Sequence, residues 1–415
     1  MCASLLSRLL RFRGRVVASM LVAGALMVAG TFAHATEPAP TPLLAFAARV
    51  AGDDARTRVV VEFDRKPEFS IHYVANPVRV VVDLPETAFG LKAESLEARG
   101  LFEAIRYGGM GAGSSRLVFT SKGPVAVSHA EVIEEEGGKS YRLVIDAEKV
   151  DQTRFDALLG EQQWTGSIVA AKTDRPSVTP AQKSGAFVIA IDAGHGGIDT
   201  GAIGSGTKTE EKHVTLAFAQ ELVTTLNRES GIEAFLTRDK DVFLSLPQRV
   251  QIARNKGANL FISIHADTLK QKDIRGATVY TISDKASDHL AADLAQRENL
   301  SDEIAGVPLQ SEPAEVADIL IDLTRRETQA FSVNMARTVV SSFEGQINLI
   351  NNPHRHAGFR VLQAPDVPSI LLELGFMSNK DDEKLLLDPE WRKKVSGLLA
   401  VAVRRYREQA VANGG

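Results

Sequence analysis

Cysteine is all but missing from this 415-residue chain: the only one, Cys2, stands ahead of the first apolar run. Disulfides, cysteine nucleophiles and thiolate metal sites are thereby excluded once an N-terminal segment is removed, so any metal has to be held by His, Asp or Glu. An excess of positive charge is missing too. The formal net charge is −4, and the residues before Thr36 supply four arginines and no acid, so the remainder carries −8. A nucleic-acid binder normally shows the opposite sign on one face, and no nucleic-acid partner is expected. The apolar run Val16 to Ala29 falls short of the roughly 20 residues that span a bilayer. No internal repeat and no compact HExxH motif occurs. What is present is a globular composition, 44% hydrophobic and 24% charged, long enough for roughly two or three domains.

Residues 1–35 read as an export signal. A basic region from Arg8 to Arg15 leads into the apolar run, and Ala33-His34-Ala35 is a small-residue cleavage site before Thr36-Glu37-Pro38. Arg11, Arg13 and Arg15 alternate with other residues, so there is no twin-arginine pair. The expectation is an exported chain with no stable membrane insertion after cleavage.

From 43 to 150 the pattern alternates with period two. Arg58-Val59-Val60-Val61-Glu62-Phe63, Val78-Arg79-Val80-Val81-Val82-Asp83 and Tyr141-Arg142-Leu143-Val144-Ile145-Asp146 are the clearest runs, punctuated by Asn76-Pro77 and Gly137-Gly138. Short strands at this spacing predict a small β-sandwich. Its histidines, His72 and His129, are solitary. Residues 151–184, rich in Ser, Thr, Pro, Lys and Gln, read as a flexible tether. From 185 to 410 strands alternate with helices. Strands are expected over Phe187–Asp192, Ile232–Thr237, Asn259–His265, Gly276–Thr281 and Ile370–Glu373, with helices over about 210–228, 245–256, 285–299, 314–344 and 388–410. This predicts a doubly wound, largely parallel α/β sheet flanked by helices.

Chemistry-bearing residues gather where these strands end. Ile189-Ala190-Ile191-Asp192 breaks into Ala193-Gly194-His195-Gly196-Gly197; Phe261-Ile262-Ser263-Ile264 ends in His265; Ser369-Ile370-Leu371-Leu372 ends in Glu373. Ligands of open α/β sheets sit outside the carboxyl ends of the strands, so the three groups can converge. Glu373 between two leucines has to be paired or metal-bound to be buried there. Glu210 precedes the helical pattern Val214, Phe218, Leu222, Leu226. It fits either a capping box with Thr207 or a metal ligand, with His213 as the rival ligand. Two histidines and a carboxylate with one open position is the usual catalytic zinc set, and a second carboxylate would move the proton. The residues thus point to metal-assisted hydrolysis of an amide or ester. Asp199 is a candidate either to orient His195 or to cap its loop. Arg249 reads as a structural ion-pair partner, and His354 and His356 as a solvated loop cluster.

The set Asp192-Ala193-Gly194-His195-Gly196-Gly197, Glu210-Glu211-Lys212, Ser263-Ile264-His265-Ala266-Asp267 and Leu372-Glu373-Leu374-Gly375-Phe376-Met377-Ser378-Asn379 resembles the zinc N-acetylmuramoyl-L-alanine amidases over about 185–410. Residues 43–150 resemble the AMIN module of the periplasmic cell-division members. The resemblance implies zinc (Zn2+) held by His195, Glu210 and His265, with Glu373 as general base and then acid. It implies cleavage of the amide between N-acetylmuramic acid and L-alanine of peptidoglycan for septal wall splitting, and an AMIN module that binds peptidoglycan and recruits the enzyme to the septum. It further implies a regulatory helical insertion, about 285–345, covering the zinc until an activator with a LytM-type domain displaces it. One acid among Glu298, Asp302 and Glu303 would then fill the open metal position. Two other classes compete. A zinc carboxypeptidase-like peptide hydrolase usually places His and Glu three apart, whereas Gly196-Gly197-Ile198 follows His195. A non-catalytic cell-wall-binding protein typically lacks a ligand or the base.

Overall fold

The computed structural model describes residues 41–92, 94–111, 113–135, 140–162, 164, 185–307 and 319–412. The export signal expected over 1–35 lies outside the described residues, as does most of the expected tether. The N-terminal part is a sandwich of two sheets, antiparallel in every pair but one, Leu43–Ala45 running parallel to Thr87–Phe89. One runs β5 (Thr87–Phe89), β1 (Leu43–Gly52), β2 (Arg56–Phe63), β9 (Tyr141–Lys149), β8 (Val125–Glu134); the other runs β3 (Ser70–Val74), β4 (Arg79–Pro85), β7 (Ser114–Ser121), β6 (Phe102–Gly111). Alternate residues point inward, as the period of two dictates: Val59, Val61 and Phe63 of β2 meet Val80, Val82, Leu117 and Phe119 across the core. The tether was expected to begin at 151, yet a helix, α1 (Gln152–Glu161), occupies its start. Asp151 caps it by accepting from the Arg154 amide, and its buried Phe155 meets Tyr73 edge-on. At its other end the Gln162 side chain accepts from the Tyr73 amide (2.9 Å) and donates to the Tyr73 carbonyl (2.7 Å), so cap, apolar anchor and this clamp together order a segment whose composition reads as linker.

The C-terminal part is built on a six-stranded sheet in the order β11 (Ile232–Leu236), β10 (Phe187–Ala193), β12 (Leu260–His265), β15 (Ser369–Glu373), β13 (Ala277–Ile282), β14 (Leu349–Ala357). All pairs are parallel except β13 with β15. Every residue of β12 and β15 is buried, as continuous apolar strands between two helical layers should be. On one face α2 (Glu211–Leu226), α6 (Ile319–Phe343) and α8 (Pro389–Ala412) pack through Val214, Phe218, Leu222, Val339, Leu399 and Val403. On the other lie α3 (Leu246–Asn255) and α4 (His289–Glu298), through Leu246, Ala253, Ala291 and Leu294. The short α5 (Ser301–Ile304) follows α4, and α7 (Lys380–Leu387) precedes α8. Two details depart from the expectation. The segment holding His354 and His356 is the edge strand β14 rather than a loop. Within the expected insertion, α6 is a core helix that supplies Met335, Ala336 and Val339. Among the described residues no helix is long and apolar enough to cross a membrane.

Beneath the carboxyl ends sits a buried ionic hub. Asp192 is fully buried and accepts from Thr237 Oγ1 (2.5 Å), Ser263 Oγ (2.8 Å) and Arg249 Nη1 (3.0 Å). Burial pushes its carboxyl up, but Arg249 and the two hydroxyls outweigh it and hold it below the usual range. Arg249 also donates to the carbonyls of Ala193 and His195 (both 2.8 Å), which clamps the turn after β10. Arg249→Met is expected to cost about 3–5 kcal/mol, the penalty of stranding one buried charge. Urea unfolding would read this, and the double variant with Asp192→Asn should regain part of the loss.

Candidate active site

The register of β12 on β15 pairs His265 with Glu373; both end their strands, so the sheet itself sets them side by side. His195 comes from the turn after β10, one strand over. Its backbone lies in the left-handed region (φ 59°), an unfavourable setting for a non-glycine residue that the Arg249 bond to its carbonyl holds in place. Gly194 is required by close approach: a Cβ there would lie 2.5 Å from the His265 ring.

Glu211 and Glu298 complete the cluster. His195 Nε2 lies 3.2 Å from Glu211 Oε2 and 3.7 Å from Glu298 Oε2, and His265 Nδ1 lies 3.5 Å from Glu211 Oε1 and 3.0 Å from Glu298 Oε2. Despite these distances neither nitrogen is aligned for a hydrogen bond. The two imidazoles stand nearly perpendicular, 4.9 Å apart. Ligand atoms of His195, His265 and Glu298 all fall within 4.8 Å of one another. A tetrahedral ion with ligands near 2.0–2.1 Å needs ligand-to-ligand edges of about 3.3 Å, and the distances of the two ring nitrogens to Glu298 Oε2, 3.7 and 3.0 Å, bracket that value; Glu211 faces the two rings with different oxygens, Oε2 toward His195 and Oε1 toward His265. The donor set fits a divalent metal ion.

The groups behind the cluster fix its orientation. Asp199 Oδ2 bonds His195 Nδ1 (2.9 Å) and Ser301 Oγ (2.6 Å), while its Oδ1 accepts from the Gly201 amide (3.1 Å). It therefore does both things the sequence left open. Glu211 is held by the Ala202 amide on Oε2 (2.9 Å) and the Ala266 amide on Oε1 (2.7 Å). Burial pushes the His265 imidazole down, but Glu298 and Glu211 outweigh it and lift it to about 10. Glu373 accepts from the Asp267 amide on Oε2 (3.0 Å), while its buried Oε1 has no hydrogen-bond partner among the described residues. Burial, with Glu211, Asp267 and Glu298 acting against the pull of His265, drives this carboxyl well above its usual range.

The expectation that Glu210 joins the histidines is corrected by one residue. Glu210 is the N-cap of α2 and makes no capping bond with its side chain. It turns outward to Lys212 (3.3 Å) and His213 (3.4 Å). The capping box with Thr207 does not form, because the Thr207 hydroxyl bonds Glu383 instead (2.6 Å). Glu211, not singled out from the sequence, is fully buried. The signal existed: Glu211 stands three, seven and eleven residues before Val214, Phe218 and Leu222, on their apolar face. His213 is half exposed and apart from the cluster. Of the three acids expected to compete for the open position, only Glu298 reaches the histidines. Asp302 accepts from the Leu246 amide (2.9 Å) at the start of α3, and the Glu303 side chain is absent from the cluster. His354 bonds Thr281 (3.2 Å) on β13. Arg297, beside Glu298, pairs with Asp267 (2.6 Å), a contact no sequence pattern marked.

Two histidines and two carboxylates at the carboxyl ends of a doubly wound sheet, beside a protonatable buried glutamate, define a hydrolase of mixed α/β architecture whose site suits a metal ion. The N-acetylmuramoyl-L-alanine amidase family matches residues 189–405 and the AMIN domain matches residues 47–143. N-acetylmuramoyl-L-alanine amidase AmiC of Escherichia coli O6:H1 is 33% identical over 373 residues, covering 87% of this chain and 88% of that protein. AmiC of Neisseria meningitidis serogroup B is 33% identical over 389 residues, covering 89% and 91%. AmiA of Escherichia coli K12 is 40% identical over 253 residues, covering 60% and 86%. This chain belongs to the N-acetylmuramoyl-L-alanine amidase family and is an enzyme of that class.

Proposed function

We propose that this enzyme is a zinc amidase of the periplasm that cuts the amide between N-acetylmuramic acid and the L-alanine of peptidoglycan stem peptides during septal wall splitting. We further propose that the conformation described is its latent state. His195, Glu211 and His265 would hold the ion, and Glu298 would take the position that water or substrate needs. The observation that carries latency is closure: His195 is 8% exposed, His265 4%, Glu298 6% and Glu373 not at all, so no glycan-linked peptide reaches them.

Zinc bound by such a set supplies a Lewis acid and brings a water within reach of ionisation near neutral pH. The chain's own groups do the rest. Glu373 Oε1, free of partners, takes the proton of the attacking water, while the Asp267 amide keeps the other oxygen fixed. A carboxyl whose affinity for a proton is raised accepts it more readily and holds it until the departing alanine nitrogen, the stronger base, takes it up. Asp199 holds the Nδ1 side of His195 and thereby aims Nε2 at the cluster. For this to begin, α4 has to withdraw Glu298, which also breaks the Arg297–Asp267 pair. An activator with a LytM-type domain is the expected agent, and the AMIN sandwich the wall-binding part.

The test uses zinc-loaded mature protein and its Glu298→Ala variant on isolated peptidoglycan, with released fragments read by mass. Free stem peptides beginning at L-alanine are expected. The variant should release them faster without activator by on the order of five- to a hundredfold, the size of a typical coupling between states. Shortened stems still attached to sugar would replace the amidase reading with a carboxypeptidase. Folded, zinc-loaded protein releasing nothing in either form would leave a binding protein. Equal rates for parent and variant would remove Glu298 from the blocking role.

A further inference from the structure

The outer face of the sandwich sheet formed by β3, β4, β7 and β6 is not solvated as alternation would suggest. Val81 and Val118 point away from the sandwich core and are buried all the same. With Val74 and Met110 they form an apolar cluster that takes in Ile198 and Phe243 of the catalytic part and Ala305 just after α5. The Phe243 amide donates to the Gly109 carbonyl of β6 (2.9 Å), so the sandwich is seated beside the turn that carries His195. Its second footing is on the blocking segment itself.

That footing is made by two buried arginines, each 2% exposed. Arg116 on β7 is anchored to Asp83 (2.6 Å) and donates through Nη1 to the Ala305 carbonyl (3.0 Å). Arg79 on β4 donates to the Glu303 carbonyl. Inside the sandwich Arg79 reaches only the Pro77 carbonyl (3.3 Å) among the described residues. These arginines meet the Glu303 carbonyl, which also accepts from the Gly306 amide (2.9 Å), and the carbonyl of the C-cap residue Ala305, at the end of a helix that favours a cation. Beyond them Gly306 has φ 69°, and a Cβ there would lie 2.8 Å from Val81 Cγ2. From Glu298 to Gly306 is a continuous short path: the metal-facing carboxylate ends α4, Ser301 bonds Asp199, and the next turn ends under the sandwich.

We propose that the AMIN sandwich is the latch of the latent state: Arg79, Arg116 and the Val81–Val118 surface grip the end of α5 and hold Glu298 in the metal site. The proposal rests on the blocking reading above and adds to it a second domain that sets how easily the segment opens. By reciprocity, whatever withdraws the segment also loosens the sandwich, and whatever displaces the sandwich promotes opening.

The test compares zinc-loaded mature parent, Arg79→Gln/Arg116→Gln, Gly306→Val and Glu298→Ala. Gly306→Val forces the same separation from the segment's side and leaves the sandwich chemically untouched, so it decides alone if the double variant fails to fold. Hydrogen exchange of residues 299–307 is followed by mass spectrometry beside activator-free amidase activity. Both latch variants should speed exchange, and release of stem peptides, by on the order of tenfold. Activation by Glu298→Ala with parent-like exchange and activity in the latch variants overturns the latch and spares the blocking reading. No activation by Glu298→Ala overturns the blocking reading. Exchange then judges the grip by itself: faster in the variants supports it, unchanged overturns it.

Discussion

Replacing Glu373 by glutamine is expected to lower the release of stem peptides by about 10²- to 10⁴-fold, the contribution of a positioned acid–base group. The change is isosteric. It leaves the Asp267 amide an oxygen to bond and keeps Glu373's neighbours in place, so folding and metal content should match the parent. Activity is best read in the Glu298→Ala background, where the closed segment no longer masks the step. Melting and elemental analysis of the same samples separate lost chemistry from lost structure. A Glu373→Gln protein that still cuts at near-parental rate would show that another group moves the proton.

The second large effect separates two adjacent glutamates. Glu211→Gln should lose most of its zinc and nearly all activity, since the carboxylate between the two imidazoles becomes a neutral amide that also presents a donor to one of the Ala202 and Ala266 amides. Loss of a ligand should exceed the roughly 10- to 100-fold fall in affinity typical of removing a group that merely supports one. Glu210→Gln, by contrast, removes only contacts to Lys212 and His213 at a half-exposed position, worth about 0–1 kcal/mol. It should bind zinc and cut as the parent does. Zinc competition with a chromogenic chelator, run on both variants, reads the contrast. Equal zinc affinities would return the ligand question to Glu210.

That pair also shows what was legible in the sequence. The strand ends carrying His195, His265 and Glu373 were visible because apolar runs stop abruptly at an ionisable residue, and the parallel register then does the assembling. Glu211 was missed because attention went to the residue at helix spacing from Thr207, while the apolar stripe of α2 points to its neighbour. Glu298 obeys the same rule: it lies three, four and seven residues after Ala295, Leu294 and Ala291, on the buried stripe of α4. A carboxylate on the apolar face of a helix was thus the common signal for both acids, and it would have chosen Glu298 over Asp302 and Glu303. Other features left no such trace. Strand β14 holds Asn352-Pro353-His354-Arg355-His356, without β-branched residues, and is a strand because β13 offers it an edge. Helix α1 depends on Phe155 and Gln162 finding Tyr73. Both are decided by tertiary partners that local pattern does not contain.

The sheet register has a consequence for how this enzyme could diversify. His265 and Glu373 are 108 positions apart in the chain, yet their spacing is set by neighbouring strands and not by anything between them. Closing a longer connection adds little entropy, roughly 0.6 kcal/mol per doubling, so the intervening chain can lengthen, shorten or change its shape while the reacting geometry stays as the sheet made it. A lid can therefore be acquired, tuned or discarded in a lineage without re-inventing the catalyst beneath it.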